Sequence, residues 1–174
     1  MATNEIYQPE LFEHGIWQEN SDIRAHVSPA NETIYVFPTR NVIKTIESIR
    51  PEVKLAGQPG VKGPTAQGYV VKISDIEDIR KVNFNWRWWL HFDEKWSTDK
   101  KGRYAVACVR DCMRTGYFPI WFDAADDDRL NVQIAGTDML VFCRKKIQVK
   151  CDSPAARTGN LFIQTAERNP LKKF

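Results

Sequence analysis

The chain has 174 residues, of which 43% are hydrophobic and 27% charged, enough to bury one core and to predict a single domain spanning residues 1–174. Its net charge of +3 permits a polyanionic partner without requiring one. Histidines stand only at 14, 26 and 91 and no Cys-x-x-Cys pair occurs, which excludes zinc-finger, His-based nuclease and zinc-protease signatures.

Taken in chain order, "DIRAHV" and "TIYVFP" predict strands over Ile23–Val27 and Thr33–Phe37, joined by the turn "SPANE". Thr39 is placed to cap a helix whose apolar positions Val42, Ile43, Ile46 and Ile49 follow the helical period, and Pro51 stops it. "GQPGVKGP" at 57–64 lacks the phosphate-loop spacing and reads as a flexible surface loop. "GYVVKI" at 68–73 predicts a short strand. "VNFNWRWWLHF" at 82–92 alternates, with Phe84, Trp86, Trp88, Leu90 and Phe92 on one face and Arg87, Trp89 and His91 on the other. The second face is either the outer side of an ordinary strand or a nucleic-acid contact surface, since indole stacks on bases and Arg meets phosphate.

Ser97–Asp99 predicts a helix cap, ahead of an apolar stripe of Tyr104, Ala105, Cys108, Val109 and Cys112 that ends at Gly116. "YFPIWF" predicts a strand, and Pro119 within it argues for a sheet edge or a bulge. After the acidic turn "DAADDD", "RLNVQIAGTDMLVF" and "KKIQVKCD" predict neighbouring strands turning around Arg144–Lys146. Cys108, Cys112, Cys143 and Cys151 read as thiols of a reducing cytosol, with a zinc site as the alternative. No signal peptide or apolar run of transmembrane length is present, so the expectation is a cytoplasmic protein without a membrane partner.

The chemistry lies near the C-terminal end. Side chains alternate along a strand, so Gln148 and Lys150 share one face while Ile147, Val149 and Cys151 turn to the core. Asp138, on the neighbouring strand, is brought back toward them by the turn. A carboxylate and an amide oxygen suit a hard cation such as Mg²⁺, and an adjacent ammonium can stabilise charge on a phosphate. From Arg129 onward nine Lys or Arg face three acids, so this is also the basic third of the chain.

Asp138, a β-turn and Gln148-x-Lys150 resemble the PD-(D/E)XK nuclease superfamily in a Gln-x-Lys variant, of restriction-like or phage type. "KGRYAVACVRDCMRTGYFPIW" is similar to that family's first helix and strand, and "QVKCDSPAARTGNLFIQT" to the segment after its lysine, so the likeness covers Trp96–Thr165. The resemblance implies an α/β fold, a restriction-endonuclease-like core with a central mixed sheet flanked by helices, its catalytic part at about 97–165. It implies catalytic roles for Asp138, Gln148 and Lys150, and Mg²⁺ (or Mn²⁺) held by Asp138, Gln148 and the Val149 backbone carbonyl. DNA is the implied partner, contacted by Arg144, Lys145, Lys146, Arg157, Arg87 and Trp89, with Lys172 and Lys173 extending the basic patch. Cutting both strands implies a homodimer or higher homo-oligomer.

Two departures stand out. The family's helix glutamate falls at Val106, and the second acid is the neutral Gln148; Asp127 and Asp128 could supply a carboxylate or simply be solvated. A non-catalytic nucleic-acid-binding or partner-binding module with a degenerate nuclease fold is therefore the alternative. The order that usually follows the family's "TGNLFI"-like strand stands instead at 14–43, "HGIWQENSDIRAHVSPANETIYVFPTRNVI". That resembles a circular permutant, with the hairpin and helix at about 20–50 completing the sheet.

Overall fold

The structure is a computed structural model, and it describes residues 11–13, 21–57, 62–84, 91–114, 120–123, 139–141 and 145–168. Alternating segments form strands β1 (Leu11–Glu13), β2 (Ile23–Ser28), β3 (Thr33–Pro38), β4 (Val53–Ala56), β5 (Ala66–Lys72) and β6 (Arg80–Asn83). They are followed by β7 (Ile120–Asp123), β8 (Met139–Val141), β9 (Lys145–Cys151) and β10 (Asn160–Arg168). The helices are α1 (Thr39–Ile49), α2 (Thr98–Arg114) and the single turn α3 (Ala155–Thr158).

The strands build two sheets. One has six strands in the order β6-β3-β2-β9-β8-β7, the other four in the order β1-β10-β5-β4. The six-stranded sheet is mixed: β2 runs parallel to β9, with Ile23 beside Ile147 and Ala25 beside Val149, while β8–β9 and β2–β3 are antiparallel. The fold is thus α/β with a mixed sheet flanked by helices.

Strand alternation decides what each face touches. Ala25, Val27, Ile34, Ile147 and Val149 point to one side and pack on Tyr104, Ala105, Val106, Cys108 and Val109 of α2. Each such aliphatic side chain contributes about 1.5–3 kcal/mol on full burial. On the opposite side, Tyr35 and Phe37 of β3 meet Val42 and Ile46 of α1, Val71 of β5 and Leu161 and Ile163 of β10. The second sheet and α1 therefore cover the face that α2 leaves open.

The N-terminal hairpin lies in the same sheet as Gln148 and Lys150, and Leu11 of β1 pairs in register with Arg168 of β10. Close approach of backbones fixes one glycine. A Cβ at Gly68 would lie 2.2 Å from the Ile163 carbonyl oxygen, beside the register shift between Gln164 and Ala166.

Several local expectations are corrected. Thr39 is the first helical residue and Pro38, extended at φ −62, takes the cap position; the Thr39 hydroxyl instead hydrogen-bonds Ser21 Oγ at 3.0 Å. Of the strand expected over 82–92, Val82 and Asn83 lie in β6, Phe84, His91 and Phe92 are in no strand, and residues 85–90 lie outside the described residues. Phe84 and Phe92 pack on the α2 core. The turn expected at Arg144–Lys146 is tighter: Lys145 and Lys146 already pair with Val141 and Leu140. Val53–Ala56, where the sequence predicts no element, is strand β4. The bulge or edge expected from Pro119 is found just after it, where β7 closes the sheet with a register shift between Ile120 and Phe122.

Candidate functional site

Arg24, His26 and Ser28 occupy alternate positions of β2, so they share a face that faces away from α2. The parallel register sets Arg24 beside Gln148 and His26 beside Lys150. On the other flank of β2, Arg24 pairs with Phe37 and His26 with Tyr35. The face therefore grades from aromatic on β3 through a buried polar row on β2 to amide and ammonium on β9.

That polar row is dry. Arg24, His26 and Ser28 are fully buried, and Gln148 and Asp152 are 7% and 6% exposed. Buried polar groups must be paired or they cost free energy, and here the pairing runs in a chain. Arg24 Nε–H donates to His26 Nε2 at 3.4 Å, which makes Nε2 an acceptor and puts the ring proton on Nδ1. Nδ1–H in turn faces Asp152 Oδ2 at 3.3 Å. The same carboxylate oxygen accepts from the Phe162 backbone N–H at 2.9 Å, so Asp152 links β9 to the first residues of β10 in the other sheet.

Burial is the main reason the His26 imidazole holds its proton less tightly than an ordinary histidine. The hydrogen bond to Asp152 opposes this, and the Arg24 guanidinium and Lys150 ammonium add to it. A neutral ring between a guanidinium and a carboxylate is the consistent state, so the His26–Asp152 contact is a hydrogen bond to a carboxylate, not a pair of full charges. Phe37 stacks on the imidazole at a centroid distance of 5.4 Å.

Two oxygens on this face stand apart. Gln148 Oε1 and Ser28 Oγ are buried without a hydrogen-bond partner among the described residues. Lys150 is half-buried, and among the described residues it has no carboxylate partner. The structure thus brings Gln148 and Lys150 together on one face and turns Val149 into the α2 core, as the alternation requires.

Asp138, Arg144, Arg87, Trp89, Asp127, Asp128, Lys172 and Lys173 lie outside the described residues, and of Lys145 only the backbone is described. Lys146 is half-buried, its N–H donating to Asp22 Oδ2 at 2.9 Å, and Arg157 is exposed on α3. Arg24, His26, Ser28 and Asp152 were not singled out by the sequence. The only signal was the alternation of "IRAHVS", whose polar face reads as solvent-facing until the second sheet covers it.

Of the four thiols, Cys143 lies outside the described residues. Burial pushes Cys108 up to about 12 and Cys151 up to about 11, so both are protonated at neutral pH. Among the described residues, no group of three or more His, Cys, Asp or Glu could hold a metal ion, and no helix is long and apolar enough to cross a membrane. Comparison of the chain with protein-family models, curated proteins and solved structures gave no match.

Proposed function

We propose that the protein is a Mg²⁺-dependent endonuclease that hydrolyses phosphodiester bonds in DNA. One observation carries the reading: Gln148 and Lys150 share the polar face of a mixed sheet at the strand that joins an antiparallel β8 to a parallel β2. β8 begins at Met139, directly after Asp138 in sequence, and Met139 pairs with Ile147, directly before Gln148. The donor set fits a hard cation in part. Gln148 Oε1 is a buried acceptor with no hydrogen bond to occupy it among the described residues, and the Val149 carbonyl and the Asp138 carboxylate would complete the set. A bound Mg²⁺ or Mn²⁺ would supply a nucleophile at neutral pH.

Lys150 would meet the charge that builds on the phosphate. Lys146 and Arg157, with Arg144, Lys145, Arg87 and Trp89, would hold the DNA backbone. Two copies would cut two strands, and an intracellular location follows from the substrate. The N-terminal position of β2, parallel to β9, supports a permuted chain order: a link from β10 to β1, paired through Leu11 and Arg168, would restore the usual one.

A second reading, a binding module on a degenerate nuclease fold, draws on Val106. It is buried in the α2 core where the resembled family carries a glutamate, so no acid enters from that position. Incubation with supercoiled and branched DNA, with and without Mg²⁺ or Mn²⁺, separates the two. The enzyme nicks only with metal; Asp138→Ala and Lys150→Ala each abolish nicking, and Lys150→Ala still binds metal. Binding without cleavage under every metal decides for the module, and wild-type rates in both variants would remove the site assignment.

A further inference from the structure

Strand β4 closes one edge of the four-stranded sheet, and among the described residues it pairs only with β5. The Ala56 carbonyl oxygen accepts from the Thr65 N–H at 2.8 Å, on the β5 side. Backbone polar groups alternate in direction along a strand, so Lys54 also turns its N–H and C=O inward, and Val53 and Leu55 turn theirs to the open edge. The side chains at that edge are apolar on one face. Val53 is 44% and Leu55 45% exposed, on the face that carries Tyr69 and looks toward α1, whose last residue, Ile49, is 53% exposed. An open edge with apolar side chains is a template for another strand.

The charges decide which strand. Glu52 and Lys54 flank Val53 and are both well exposed, paired with each other at 2.6 Å. A second copy of β4 laid antiparallel about a two-fold axis at Val53 sets Glu52 opposite Lys54 of that copy, and Lys54 opposite its Glu52. Val53 then meets Val53 and exchanges both backbone hydrogen bonds, and Leu55 meets Pro51. Shifting the axis to Lys54 would place two ammonium groups face to face, and shifting it to Leu55 leaves both charges without an opposite. Among these registers the Val53-centred one joins the Val53 backbone groups, the apolar face and the charges, with Pro51 accepting from Leu55 N–H but having no N–H to return.

We propose that β4 is a self-association edge, through which two copies of this chain join their four-stranded sheets about a two-fold axis at Val53. The inference needs no nuclease activity, and its failure leaves metal-dependent cleavage to its own test, a monomeric wild type removing only the expectation that two copies cut two strands. Sedimentation velocity on the full chain and three variants tests it, since Glu52 and Lys54 are exposed and their reversal leaves the fold intact by circular dichroism. The wild type is dimeric at micromolar to sub-millimolar concentration. Lys54→Glu alone and Glu52→Lys alone each replace two opposite pairs with two like ones and weaken the dimer by on the order of tenfold or more. The two single variants mixed, and the double variant E52K/K54E by itself, regain it because opposite charges face each other again. A monomeric wild type, with the edge left to a strand of some other protein, overturns the proposal. So does a dimer that persists in both single variants, or a mixture that stays monomeric.

Discussion

His26 should make the protein acid-sensitive well above the carboxylate range. Its ring is fully buried and holds its proton less tightly than the ordinary value of 6.5, burial being the chief cause. Below about pH 6.5 the unfolded chain binds a proton at this position that the folded protein does not. Stability due to His26 is therefore complete above 6.5 and falls as pH drops toward the folded value. Linkage gives a slope of at most about 1.4 kcal/mol per pH unit, so moving from about pH 7.5 to about pH 5.5 should lower stability at this site. His26→Gln isolates it: the amide can donate to Asp152 and accept from Arg24, as the imidazole does, but does not titrate. Urea titrations at both pH values, followed by the fluorescence of the six tryptophans, give the two free energies for each protein. The wild type should lose more stability than His26→Gln over this range. Parallel losses in the two proteins would mean that folded His26 takes up its proton as the unfolded chain does, and the neutral reading of the row would be wrong.

Gly68→Ala should destabilise the second sheet by about 2 kcal/mol or more, because the new Cβ meets the Ile163 carbonyl at 2.2 Å and must separate β5 from β10; a thermal melt checks it. Asp152→Ala should cost about 3–5 kcal/mol by urea titration, since it strips the carboxylate from a buried row containing Arg24 and leaves the Phe162 N–H without its acceptor. Asp152→Asn, which keeps an acceptor oxygen, should cost visibly less. DNA binding, if it runs through the C-terminal basic residues, should engage ~5 phosphates and give a log–log salt slope of about −4 to −5; fluorescence anisotropy across a salt series checks it, and salt-independent binding would exclude the nucleic-acid reading.

Much of the sheet was legible because β2, β3 and β9 each bury an aliphatic face against something, and a period of two survives any choice of partner. The parallel pairing of β2 with β9 was not, since 117 residues separate Ser28 from Lys145 and no local signal encodes so distant a contact. β4 escaped notice because an edge strand with Val53 and Leu55 exposed has no core face to mark it. Gln148 and Lys150 were placed correctly on one face by alternation alone. What alternation could not reveal is that this face is covered. A strand reading "IRAHVS" looks half-solvated, and only the second sheet turns Arg24 and His26 into buried groups that need each other.

The buried row has a consequence for charge at the candidate site. Arg24 and Asp152 would each be costly alone in a dry interior, and the neutral imidazole between them lets the two charges compensate without direct contact. Asp152 Oδ2 is already occupied twice, by His26 and by the Phe162 amide. That carboxylate is therefore a poor counter-ion for Lys150, one strand over. If Asp152 paired with Lys150 instead, the unbalanced positive charge of the face would rest on the fully buried Arg24. Because Asp152 is held by His26 and β10, the unbalanced charge rests instead on the half-buried Lys150, and the buried row and that lysine form one electrostatic arrangement.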